Sequence, residues 1–151
     1  MAPLIIFTPF AVVLSILDWK IYRLPHALTL ACLAAGMTVA SAEGGLTGSV
    51  KMAVIGALAG FLFLGPLAIL RPDWLGFGDA VYLTAIGSFV GWNGVLIVVL
   101  VGSLSSVILE GGYRMITKRH RKIPFGTYLS AAAVLVIIEY ARVQTILPGR
   151  F

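Results

Sequence analysis

Apolar stretches long enough to enter a lipid bilayer follow one another along this chain with only short breaks between them. They run over residues 4–21, 27–42, 50–70, 79–91, 95–116 and 124–143. A bilayer core of about 30 Å takes roughly 20 apolar residues as a helix, and fewer where a helix is buried among others. The expectation is therefore all-α: a polytopic membrane protein of about six transmembrane helices, with residues 1–151 as a single transmembrane domain. The 79–91 run is short, which predicts a helix held inside the bundle. Composition agrees. Of the residues, 60% are hydrophobic and 11% charged, against roughly 25% charged in a soluble domain, too few to cover a water-facing surface.

The breaks between the runs carry the charge. The net charge of +5 does not point to nucleic acid, because the basic residues sit in short connecting segments rather than along one exposed stripe. Their sidedness sets an orientation. With the N-terminus outside, the cytoplasmic loops hold Lys20, Arg23, Arg71, Arg114, Lys118, Arg119, Arg121 and Lys122, and the opposite face keeps Lys51, Arg142 and Arg150. Both termini are thus expected to be non-cytoplasmic. No Lys or Arg precedes the first run, and Asp18-Trp19-Lys20 follows it where a cleavage site would need small residues. That run is read as a retained helix rather than a secretion signal. Cys32, the only cysteine, lies in an apolar run, which predicts a small buried hydrophobe and offers no CxxC site. His26 and His120 have no other His, Cys or acid at ligand spacing, so neither a metal nor another cofactor is expected. Two pairs of glycines four apart, Gly56 with Gly60 and Gly87 with Gly91, each share a helix face and predict close helix contacts.

Six residues are acidic: Asp18, Glu43, Asp73, Asp79, Glu110 and Glu139. Glu43 and Asp73 fall in loops. The other four lie in or at the edge of apolar runs, where a carboxylate costs at least about 2.5–3.5 kcal/mol, so each is a functional candidate by default. Glu110 has Arg114 one turn away and Glu139 has Arg142 three residues on, and local ion pairs account for both. Asp18 closes the first run and Asp79 opens the fourth, and the sidedness argument puts both at the cytoplasmic face. Two carboxyl groups brought together do not ionise independently. Such a pair supplies a base to activate water and an acid to polarise a carbonyl, with neither role belonging to one aspartate alone. Two glycines precede the second acid in Gly76-Phe77-Gly78-Asp79, leaving room for a substrate backbone to approach. The competing reading is that Asp79 only caps its helix, a position aspartate favours.

Taken together, three blocks resemble the type IV prepilin peptidase family, membrane aspartyl proteases with a Gly-x-Gly-Asp motif. The first block is Asp18-Trp19-Lys20-Ile21-Tyr22-Arg23-Leu24-Pro25-His26-Ala27-Leu28-Thr29. The second is Gly76-Phe77-Gly78-Asp79, continuing to Gly87, Gly91 and Trp92, and the third is Ile123-Pro124-Phe125-Gly126-Thr127-Tyr128-Leu129. The likeness runs from about residue 14 to 135. It implies that Asp18 and Asp79 are the catalytic pair, supported by Gly76, Gly78, Pro25, Pro124, Phe125 and Gly126. It further implies a multi-pass enzyme of the cytoplasmic membrane, with the lipid bilayer as its surroundings. Such an enzyme removes the short basic leader, typically after a glycine, from prepilin-like, pseudopilin-like or archaeal flagellin-like precursors at the cytoplasmic face.

The chain departs from the family pattern at three points. Val81 stands where the family often has Lys, His26 where it often has Asp or Asn, and Thr127 where Pro is frequent. The loss of a cation beside the pair is expected to alter substrate preference or activity. The chain also lacks the cysteine-bearing region of members that methylate their product, so cleavage without methylation is expected. Two other functions are compatible with the same acids. One is an inactive relative serving as a membrane assembly partner. The other is a small proton-coupled transporter or channel, which would use mid-membrane hydroxyls such as Thr84, Ser88, Ser103, Ser105 and Ser106.

Overall fold

The computed structural model describes residues 2–21, 24–43, 50–71, 75–117 and 124–146. These form five helices, α1 (Ala2–Ile21), α2 (His26–Glu43), α3 (Val50–Leu70), α4 (Phe77–Thr117) and α5 (Phe125–Ile146), with no strand among the described residues. Arg23, Asp73, Lys118, Arg119, His120, Arg121, Lys122 and Arg150 lie outside them. Four helices are long and apolar enough to cross a membrane, at Ala2–Ile21, Val50–Leu70, Phe77–Glu110 and Phe125–Val143, and the apolar His26–Ala42 is shorter. The protein is an all-α membrane protein.

The helices are apolar around most of their circumference; α1 buries a single stripe, whereas α4 over residues 80–91 is buried almost all round, as its short apolar run predicts. On α1 the buried positions are Pro3, Phe7, Ala11, Leu14 and Asp18, a helical spacing that selects a single face. Ile5, Ile6, Val12, Val13 and Ile16 point outward. A water-soluble helix would place charges at those outward positions. Here hydrocarbon does the solvating. Cys32 is fully buried on α2, as its setting in the sequence predicts.

The six separate segments expected from the sequence are five elements in the structure. The runs at 79–91 and 95–116 are joined as α4, interrupted at Gly91 with φ 69° and ψ 179°. That region of backbone space is essentially closed to residues with a side chain, and it redirects the chain within one residue, so no connecting loop is required. The two arms of α4 lie beside each other along α5. On the first arm, the Tyr82 hydroxyl is 2.8 Å from Ser130 Oγ. On the second arm, a Cβ at Gly102 would sit 3.6 Å from Leu129 Cα, and one at Gly94 3.6 Å from Val136 Cγ1. Tyr82 and Gly102 would be about 30 Å apart on a straight helix, yet both reach neighbouring residues of α5. The chain doubles back at Gly91.

The glycine pairs work in opposition. A Cβ at Gly56 on α3 would meet the Gly87 carbonyl oxygen and stand 2.6 Å from Gly91 Cα, and one at Gly60 would stand 2.8 Å from Leu83 C. Helix α3 therefore runs antiparallel to the first arm of α4 with backbones in contact. This brings the C-terminus of α3 and the start of α4 to one end of the bundle.

Candidate active site

Three helix boundaries converge at that end. α1 finishes at Ile21 and α2 starts at His26 after Pro25, whose carbonyl oxygen accepts the amides of Leu28 at 3.1 Å and Thr29 at 3.2 Å. α5 starts after buried Pro124, whose carbonyl accepts the Thr127 amide at 3.1 Å. A proline at such a boundary has no amide hydrogen to leave unsatisfied, and its fixed φ suits a helix start. α4 starts after Gly76, whose carbonyl oxygen accepts the Asp79 amide at 3.0 Å. Phe125 is half-buried and packs against the core, which seats the first turn of α5.

Asp18 is 5% exposed, the last member of the buried stripe of α1. Its carboxylate Oδ2 accepts the Thr127 backbone amide at 2.9 Å, and the Thr127 hydroxyl lies 3.4 Å from the same oxygen and 3.3 Å from the Ser15 carbonyl. A charged acceptor at the first turn of a helix gains from the unsatisfied amides there and from the helix dipole. Gly126 leaves room for this approach, since a Cβ there would stand 3.1 Å from Asp18 Oδ2.

Asp79 lies in the first turn of α4 and is half-buried. The capping reading placed Asp79 at the N-cap, but the helix opens two residues earlier, at Phe77, so the acid sits inside the first turn. The Asp18 carboxylate is close enough to act electrostatically on Asp79. The two acids, 61 residues apart by number, stand at the same end of the bundle. Leu24 ties the three boundaries together: a Cβ at Gly78 would lie 3.1 Å from its Cβ, and one at Gly126 3.0 Å from its Cδ1.

The remaining acids separate. Glu139 pairs with Arg142 at 3.3 Å on the exposed side of α5, as its spacing predicts. Glu110 is 7% exposed and accepts the Tyr128 hydroxyl at 3.4 Å. That partner, eighteen residues away on another helix, was not evident from the sequence. Nor was the buried chain in which Ser130 Oγ meets the Tyr82 hydroxyl and donates to the Gly126 carbonyl at 2.8 Å. Among the described residues no group of three or more His, Cys, Asp or Glu side chains converges. Thr84, Ser88 and Ser105 direct their hydroxyls to carbonyls of their own helix, Ala80, Ala85 and Val101.

Known proteins resemble this chain over most of its length. The profile of the type IV leader peptidase family matches residues 5–110. A prepilin leader peptidase/N-methyltransferase of Aeromonas hydrophila is 33% identical over 141 residues, covering 89% of this chain and 48% of the relative. Its namesake from Burkholderia pseudomallei (strain 1026b) is 34% identical over 131 residues, covering 82% and 42%. That of Escherichia coli (strain K12) is 29% identical over 142 residues, covering 87% and 60%. The chain spans about half the length of the relatives it matches, and the second activity in their names is said of them. No solved structure matches it. With three motif blocks assembled at one end of the bundle and a family profile over more than half of its residues, the chain belongs to the type IV leader peptidase family.

Proposed function

We propose that this protein is an aspartyl endopeptidase that removes the short basic leader from prepilin-like precursors, with Asp18 and Asp79 as its catalytic pair. The observation that supports the reading is the gathering of Asp18, Gly126, Leu24 and the Gly78-Asp79 turn at one end of an apolar bundle, with Asp18 close enough to act electrostatically on Asp79. A water held between them loses a proton to the ionised carboxyl as its oxygen attacks the scissile carbonyl carbon. The protonated carboxyl hydrogen-bonds the carbonyl oxygen and takes up the charge that develops there. Collapse of the tetrahedral intermediate then breaks the C–N bond, and the departing nitrogen takes a proton from the pair. Because the two groups titrate together, the roles of acid and base belong to the pair.

In this reading residues 1–151 act as one peptidase domain of the cytoplasmic membrane. Both arms of α4 cross the bilayer, giving six crossings with α2, and both termini are outside. The dyad then faces the cytoplasm, where a basic leader approaches beside the anionic inner leaflet. Prepilin-like proteins are the substrates favoured by the names of the relatives, and pseudopilin-like and archaeal flagellin-like proteins would offer the same basic-leader chemistry.

The test is co-expression with a precursor carrying a basic leader, read as a gel shift. Asp18→Asn and Asp79→Asn each abolish processing while the protein still inserts into the membrane. Full processing by both single variants overturns the assignment. A wild-type protein that processes no precursor supports the assembly-partner alternative instead.

A further inference from the structure

Leu24 stands between the turn that bears Asp79 and the start of α5 that holds Asp18. Its Cβ and carbonyl oxygen lie 3.1 and 3.2 Å from where Gly78 would carry a Cβ, and its Cδ1 lies 3.0 Å from the same point at Gly126. Gly78 immediately precedes Asp79, and Gly126 immediately precedes Thr127, whose amide holds Asp18. Leu24 is only 7% exposed and belongs to the core, so its side chain has little freedom to move aside. The start of α4 rests on one part of this residue and the start of α5 on another. Neither glycine has a side chain to intervene.

We infer that Leu24 is a positioning residue, a spacer between the start of α4 and the start of α5 that sets the separation of the Asp18 and Asp79 carboxyl groups. The inference rests on reading that pair as the catalytic dyad. A truncated core side chain leaves a space into which its neighbours partly collapse. Here the neighbours are the two helix starts that carry or hold the acids. Misplacing reacting groups by about 1 Å costs on the order of 100-fold in rate. Leu24 touches no reacting atom in this scheme, so its effect belongs in turnover and not in substrate affinity.

The test compares purified variants on one precursor with a basic leader. Leu24→Ala lowers kcat by roughly 10- to 100-fold and leaves KM within about 2-fold, the pattern of lost transition-state geometry. Leu24→Met and Leu24→Ile, which conserve volume, restore kcat to within about 3-fold. Leu24→Val falls between them and Ala, and keeps the test in force if the Ala variant does not accumulate in membranes. Gly126→Ala adds a methyl that meets Leu24 Cδ1 and Asp18. Combined with Leu24→Ala it loses less than the product of the two single losses, because the added methyl enters the vacated space. Wild-type kcat in both the Ala and Val variants overturns the inference, as does a rise in KM with kcat unchanged, which would make Leu24 part of the substrate site. Asp18→Asn in the same assay separates the two levels: if it remains active the dyad itself falls, whereas if it is inactive beside a fully active Leu24→Ala, only the spacer role falls.

Discussion

Asp18 shows how one position serves both packing and the proposed chemistry. It continues the stripe of Phe7, Ala11 and Leu14, so the turns that bury apolar side chains also carry a carboxylate into the bundle. A buried carboxylate needs donors, and Thr127 supplies an amide at 2.9 Å with its hydroxyl close by. If the hydroxyl only reinforces the amide, Thr127→Val retains the stronger contact and lowers kcat by about 2- to 5-fold, the small effect of a hydrogen bond stretched to 3.4 Å, while Thr127→Ser keeps wild-type turnover. Steady-state cleavage of a precursor measures both. The two aspartates stood out as candidates in the sequence because acids in apolar runs are costly and rare. Thr127 was visible only as a departure from a motif. Its main contribution is a backbone amide, which every residue except proline possesses, so no side-chain pattern could reveal it. Glu110 and Glu139 looked alike in sequence, each with an arginine within four residues. Tertiary packing separates them, one buried beneath Tyr128 and one exposed beside Arg142.

Among the helices, small residues carry the architecture. The glycines at 56, 60, 87 and 91 were readable as two pairs on two helix faces. That the pairs press on each other follows from the reversal in α4, and a reversal without loop residues leaves no turn signature beyond a glycine that also fits a packing motif. Gly91 thus has two duties, contact with Gly56 and a backbone conformation at φ 69° and ψ 179°. Gly91→Ala is expected to destabilise the fold by about 1–3 kcal/mol for the conformation alone. Gly56→Val forces α3 away from the Gly87 carbonyl at a similar cost of about 1–3 kcal/mol from overpacking. Both appear as lower midpoints of thermal unfolding in detergent. A variant at Gly91 that melts with the wild type would mean that the bend does not depend on glycine.

Across the whole molecule, the distribution of charge and the course of the chain agree on two ends. Lys20 lies at the end of α1 beside the aspartates, and Arg71 follows α3, whose antiparallel packing on α4 brings it to the same end. Lys51 opens α3 and Arg142 lies near the end of α5, both at the far end. These four basic residues, the ones whose ends the described helices place, divide two and two between the ends of the bundle. The compartment faced by each end is a matter of membrane insertion, governed by those same charges, and it is open to direct measurement. Lys20→Cys and Lys51→Cys introduce thiols at exposed positions of opposite ends, while native Cys32 is fully buried and gives little background labelling. Losing one charge from either set leaves most of the bias in place. In intact cells an impermeant thiol reagent is expected to label the cysteine at 51 and spare the one at 20, with both labelled once the membrane is opened. The reverse pattern would turn the aspartates away from the cytoplasm, where unprocessed precursors with basic leaders reside, and would remove the proposed substrates from reach.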